Sequence, residues 1–212
     1  MELYIIRHGD PDYENDALTE RGWKEARALG ETMAKIAPDK IYTSPMGRAK
    51  QTAEPTLKAL NMTSSVEEWT AEHWFYMQFP DYDKDKSGFK FDLQNGVTDF
   101  YDYSTIGREE VLSNLVKGSD EFLARHGYVR KGIVYEPVAP TNEKIAVFCH
   151  AGFGSAWIAH LLGMPPEYGY LRFNLFTTSV TKFVFYQEGI SPYVRAICES
   201  LNDVTHKSRI VD

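Results

Sequence analysis

Short runs of β-branched, aliphatic and aromatic residues alternate along the chain with longer stretches whose apolar positions recur at helical spacing. Leu3, Tyr4, Ile5 and Ile6 predict a buried strand ending at Arg7-His8-Gly9. Thr19 reads as the N-cap of a helix carrying Ala26, Leu29, Gly30, Met33 and Ile36, stopped by Pro38. Ile41 and Tyr42 give a second short strand. Ser44-Pro45 reads as an N-cap followed by proline at the first helical position, opening a helix through Thr52 and Leu57 towards Asn61. Val111, Leu112, Leu115, Val116, Phe122 and Leu123 mark a helix starting near Thr105. Lys144 to Cys149 reads as a buried strand ending at His150, followed by a Gly-rich turn and a helix from about Gly154 to Leu162; Val180 to Tyr186 and Tyr193 to Ile197 read as strands. This alternation predicts an α/β domain with a largely parallel sheet covered on both faces. Ligands of such sheets bind at the carboxyl ends of strands, so His8 and His150 are candidates for one pocket despite their distance in sequence.

Periodicity fails between Glu67 and Tyr103, where 11 of the 35 residues from Trp69 to Tyr103 are aromatic, which is too apolar for a linker. The stretch 67–103 reads as an insertion in a single domain spanning residues 1–212. It carries nine Asp and Glu against three Lys, so most of the net charge of −7 sits there. As a lid over the site it would repel heavily charged substrates and tolerate monoesters with apolar or aromatic leaving groups; the other reading is a small core of its own with acids facing water. Within it, Asp83-Lys84-Asp85-Lys86-Ser87-Gly88 resembles half of a calcium loop, but the twelfth position is Gln94, so a turn is expected there.

The acidic balance argues against a nucleic-acid partner, which requires a basic stripe. Two cysteines, Cys149 and Cys198, give neither a disulfide framework nor a zinc spacing. Cys149 reads as a small buried hydrophobe, and His73, His126, His160 and His206 as structural or surface residues. The apolar run at the start is too short for a signal segment or membrane span, so a cytoplasmic protein is expected, with no membrane partner.

Arg7-His8-Gly9 places a guanidinium fork, an imidazole and a residue without a side chain where a strand opens into a loop. That set suits phosphate: arginine grips its oxygens bidentately, Gly9 permits close backbone approach, and a neutral imidazole is a nucleophile. Arg48 falls in the first turn of the helix after Ser44-Pro45, where unpaired amides already favour an anion. Gly152 and Gly154 hint at a dinucleotide loop, but Trp157 occupies the third glycine position.

With these residues in place, the chain resembles the histidine phosphatase superfamily, the phosphoglycerate mutase-like proteins. The matching stretches are Tyr4 to Gly9, Leu18-Thr19-Glu20-Arg21-Gly22, Ser44 to Thr52, and Cys149-His150-Ala151-Gly152. The resemblance implies a three-layer α/β/α sandwich and a metal-independent phosphomonoesterase, without cofactor, acting on a small phosphorylated metabolite through a phosphohistidine. It assigns His8 as nucleophile, with Arg7, Arg48 and His150 holding the phosphoryl oxygens and Gly9 and Ala151 lining the substrate. A leaving alkoxide needs a proton. The family's segment with a Leu-x-Glu before a later Trp is matched here by Val66-Glu67-Glu68-Trp69 and Trp74, which selects Glu68 as the acid, with Glu72 as runner-up. The first loop is shorter than in many members, leaving Asn15 either a phosphate contact or a turn residue. A mutase that returns the phosphoryl group to its product, and a non-catalytic phosphate-binding module, are the alternatives. Oligomeric state is not legible.

Overall fold

Complete burial of Leu3, Ile5 and Ile6, with Tyr4 nearly so, puts the first strand at the centre of a sheet covered on both faces. The computed structural model describes residues 1–73, 106–187 and 189–210. In chain order the strands are β1 (Glu2–Arg7), β2 (Pro11–Asp12), β3 (Ala17–Leu18), β4 (Lys40–Thr43), β5 (Ser65–Val66), β6 (Tyr128–Lys131), β7 (Val134–Pro137), β8 (Lys144–Cys149), β9 (Val180–Gln187) and β10 (Val194–Asp203). The helices are α1 (Glu20–Ile36), α2 (Gly47–Leu60), α3 (Ile106–Arg125), α4 (Ala151–Leu161) and α5 (Gly169–Arg172). Among the described residues the main sheet runs β5-β4-β8-β1-β9-β10-β7-β6. The block β5-β4-β8-β1 is parallel, and β9, β10, β7 and β6 extend it antiparallel.

Strand alternation divides the core between the two faces. Leu3 and Ile5 join Leu115 and Phe122 of α3 and Phe153 and Trp157 of α4 on one face. Tyr4 and Ile6 join Leu29 and Met33 of α1 and Ala53 of α2 on the other. The expected three-layer α/β/α sandwich is therefore the observed fold.

Local starts and stops follow the chain's chemistry. Thr19 caps α1, its side chain accepting the Gly22 amide. Gly30 lets α1 close on α2, since a Cβ there would lie 2.8 Å from Pro55. Two expected helix starts are corrected. α2 begins at Gly47, with Met46 rather than Ser44 as its cap residue. α4 begins directly at Ala151, so Gly152 and Gly154 lie inside a helix rather than in a turn; at Gly154 a Cβ would press on Leu175 at 2.9 Å. The hairpin of β6 and β7, turning at Gly132 with φ +65°, goes unanticipated because charged residues interrupt its apolar pattern. The proposed insertion, including Trp74 and the Asp83–Gly88 run, lies outside the described residues from residue 74 onward. No described helix is long and apolar enough to cross a membrane.

The register of the parallel block positions the site. Arg7 pairs with Cys149, and Thr43 with Phe148. The His8 amide then donates to the Cys149 carbonyl at 2.9 Å, and the Ser44 amide to that of Phe148 at 2.8 Å. Three strands thus end level, presenting His8, Ser44 and His150 side by side.

Candidate active site

The His8 and His150 rings stand 5.2 Å apart between centroids, tilted by 60°. His8 is 2% exposed and its Nδ1 lies 2.7 Å from the Gly9 carbonyl oxygen. An Nδ1–H donating to that carbonyl leaves the lone pair of a neutral ring on Nε2. Burial, reinforced by Arg7 and Arg48, pushes the His8 pKa down to about 3. Desolvation is the larger cause, ahead of the two arginines. His150 is held well below its ordinary value, first by burial and then by His8, Arg48 and Arg7.

The backbone around His8 is pinned on every side. The Gly9 amide donates to Thr52 Oγ1 at 3.0 Å, and that hydroxyl donates to the Arg48 carbonyl at 2.7 Å. The Thr178 amide donates to the His8 carbonyl at 3.1 Å. A Cβ on Gly9 would meet the Gly22 carbonyl at 2.8 Å, which explains glycine in the strand-end triplet.

Arg7 donates through Nη1 to the Leu175 carbonyl, and Arg48 through Nη1 to Asp16. The Nε atoms of both arginines and Nδ1 of His150 are buried without a hydrogen-bond partner. Partnerless buried polar nitrogens are costly, so their presence beside the neutral His8 imidazole makes a set suited to an anion with several acceptor oxygens. His150 Nε2 is engaged, 2.7 Å from Ser44 Oγ. Ala151 opens α4 beside these groups.

The two candidate acids separate. Glu68 is exposed in a 3-10 turn, Glu68–Thr70, and makes none of the contacts of this site. Glu72 reaches the N-terminus of α4, accepting the Gly152 amide at 3.1 Å and the Phe153 amide at 2.9 Å. The residue is partly exposed, but its carboxyl is enclosed, and burial raises its pKa against the lowering effect of those amides and Arg48. The structure therefore places Glu72, not Glu68, at the start of α4 directly after His150 and within the field of Arg48. Glu67 is spent elsewhere, paired with Arg125 and accepting from Trp69 Nε1 at 2.8 Å.

Asn15 is not brought to the site either. Its side chain donates to Asp12 at 2.8 Å in an exposed turn. The acid one position later, Asp16, is the contact that sequence reasoning missed. Its only sequence signal is a position in the loop leading into Leu18-Thr19. Cys149 is fully buried, which pushes its thiol pKa up, as expected of a small hydrophobe. Among the described residues no group of three or more His, Cys, Asp or Glu could hold a metal.

The sequence matches the histidine phosphatase superfamily (branch 1) over residues 3–196. No curated protein matches the chain. Among solved structures, a histidine-to-alanine variant of phosphoserine phosphatase from Entamoeba histolytica, in complex with phosphoserine, superposes with a TM-score of 0.66 at 21% identity, covering 97% of this chain and 98% of that one. A mycobacterial glucosyl-3-phosphoglycerate phosphatase gives 0.64 at 20% identity over 95% of this chain and 98% of its own. A protein described as mycobacterial hydrolase 1 gives 0.64 at 19% identity, with the same coverages.

Proposed function

The chain belongs to the histidine phosphatase superfamily, and from that premise we propose that it is a metal-independent phosphomonoesterase that passes the phosphoryl group of a small monoester first to His8 and then to water. The observation that carries this reading is the trio of partnerless buried nitrogens, Arg7 Nε, Arg48 Nε and His150 Nδ1, beside a neutral His8 with its Nε2 lone pair available.

In the first transfer the Nε2 lone pair forms a bond to phosphorus as the ester P–O bond breaks. The Gly9 carbonyl, already bonded to Nδ1–H, steadies the positive charge that grows on the ring. Arg7 and Arg48 neutralise charge spread over the equatorial oxygens, and the neutral His150 donates a hydrogen bond to them through Nδ1–H. Glu72, whose raised pKa favours the protonated form, gives its proton to the departing alkoxide. In the second transfer Glu72, now a carboxylate, takes a proton from water as the water oxygen attacks phosphorus and the N–P bond breaks, releasing orthophosphate and restoring His8.

The phosphatase neighbours favour hydrolysis over mutase chemistry as the parent activity. The test is hydrolysis of p-nitrophenyl phosphate from pH 4.5 to 8 with excess chelator, comparing the wild type with His8→Ala. Chelator-resistant turnover that disappears in the variant is expected. A wild type without turnover on this ester and on phosphoglycerates, but stabilised thermally by them, would make the protein a phosphate-binding module instead.

A further inference from the structure

Asp16 bears on the alcohol half of the substrate. One of its carboxylate oxygens accepts the Gly47 amide at 2.6 Å, and the other accepts Arg48 Nη1. The Asp16 backbone is left-handed, φ 47°, and its carbonyl fills the space a Cβ on Gly47 would need. The turn is thus docked tightly on the N-terminus of α2. The Arg48 side chain is 6% exposed and that of Asp16 42%, so the carboxylate lies on the solvent side of the arginine. Its charge is felt at His8, where it favours the protonated ring. Tyr13, 67% exposed, lies with its ring 5.5 Å from the Arg48 guanidinium carbon.

We propose that Asp16 sets the substrate class, restricting the enzyme to monoesters whose alcohol carries no second anionic group near the ester. The inference rests on the phosphatase reading above and adds to it a rule for the leaving group. In-line transfer from His8 sends the leaving group away from the buried nucleophile, towards solvent. A carboxylate or second phosphate there meets a fixed negative charge that already occupies the outer donor of Arg48. It can gain that donor only by displacing Asp16, and the like charge of the Asp16 carboxylate repels it. An uncharged alcohol meets no such conflict, and the Tyr13 ring offers it apolar surface.

The test uses two non-hydrolysable probes of nearly equal shape, propylphosphonate and 2-carboxyethylphosphonate, bound to the wild type and to Asp16→Asn in calorimetry. Asparagine tolerates the left-handed backbone and keeps an acceptor for the Gly47 amide; Asp16→Gly removes the side chain without backbone strain and serves if the first variant fails to fold. Loss of the charge strengthens both ligands, so the readout is their ratio. The wild type should prefer propylphosphonate by about tenfold or more, and the variants should narrow that preference by about tenfold. An unchanged ratio in both variants would make Asp16 a mere clamp on Arg48 and overturn the proposal. If neither phosphonate binds the wild type, the phosphate-cradle reading fails first and the proposal with it.

Discussion

Ser44 Oγ lies 2.7 Å from His150 Nε2, so the residue whose sequence context suggests a helix cap instead serves a histidine on a neighbouring strand. For His150 Nδ1 to donate to a phosphoryl oxygen, the ring must carry its hydrogen there, and Nε2 must accept from the Ser44 hydroxyl. Ser44→Ala removes the group that selects this tautomer. The expected result is a loss of about tenfold in kcat/KM and a parallel loss in orthophosphate affinity, with the melting temperature little changed. Unchanged phosphate binding would separate Ser44 from the function of His150.

Glu72 and Glu68 give a second, sharper contrast. The Glu72 carboxyl is held at the amides of Gly152 and Phe153, as the proposed proton donor requires, whereas Glu68 faces solvent. Glu72→Gln should slow hydrolysis of an alkyl phosphate by about a hundredfold or more, because an alkoxide is a poor leaving group without a proton. p-Nitrophenyl phosphate, whose phenolate needs little protonation, should lose far less. Glu68→Gln should leave both rates near wild type. Equal losses on the two esters in Glu72→Gln would remove it as the acid.

Trp69 is the wedge that fixes the segment leading to Glu72. Its ring meets Phe153 at 5.3 Å and Trp157 at 5.1 Å between centroids. A Cβ on Gly118 of α3 would fall 2.5 Å from it. Gly118→Ala must therefore move the indole, at a cost of about 2 kcal/mol. If Trp69 positions Glu72, this variant should also show the leaving-group signature of Glu72→Gln, with alkyl phosphate turnover falling more than that of p-nitrophenyl phosphate. A lower melting temperature with an unchanged ratio of the two rates would limit Trp69 to packing.

What the chain discloses in advance follows from how local each signal is. The strand ending at His8 and the one ending at His150 are legible because each is an unbroken apolar run stopped by a functional residue. Their adjacency follows from the general placement of sites at strand ends in α/β sheets. The cap at Thr19 is likewise a local hydrogen bond. The choice between Glu68 and Glu72 is not local. It depends on Trp69 being driven into the α3–α4 core, with Glu67 paired to Arg125 and Glu72 aimed at the start of α4. Nothing in the spacing of Glu67, Glu68 and Glu72 encodes which helix terminus the segment will meet. Asp16 escapes notice for the same reason, since its partners Gly47 and Arg48 belong to another element. Ser44 is misread because a sound local rule for Ser-Pro loses to a tertiary partner.

His206 offers a test of buried charge outside the reacting groups. Its Nε2 lies 3.0 Å from Thr178 Oγ1, and Thr178, with φ 54° and its amide on the His8 carbonyl, is a β-branched residue held in an unfavourable conformation. Burial lowers the His206 pKa to about 4, aided by Lys207 and Arg209 and opposed by Asp203 and Glu25. The unfolded chain binds this proton near pH 6.5, so between there and about pH 4 it holds more protons than the folded state. The stability contributed by the neutral ring is therefore complete above pH 6.5 and is lost as pH falls, by about 2 kcal/mol at pH 5. The raised pKa of Glu72 acts in the opposite sense, since the folded protein takes up that proton first. His206→Gln keeps a hydrogen-bonding side chain and cannot titrate. Its urea midpoint should consequently fall less steeply than that of the wild type between pH 6.5 and 5. Parallel slopes would show that the folded protein binds the His206 proton about as readily as the unfolded chain, which would overturn the lowered pKa.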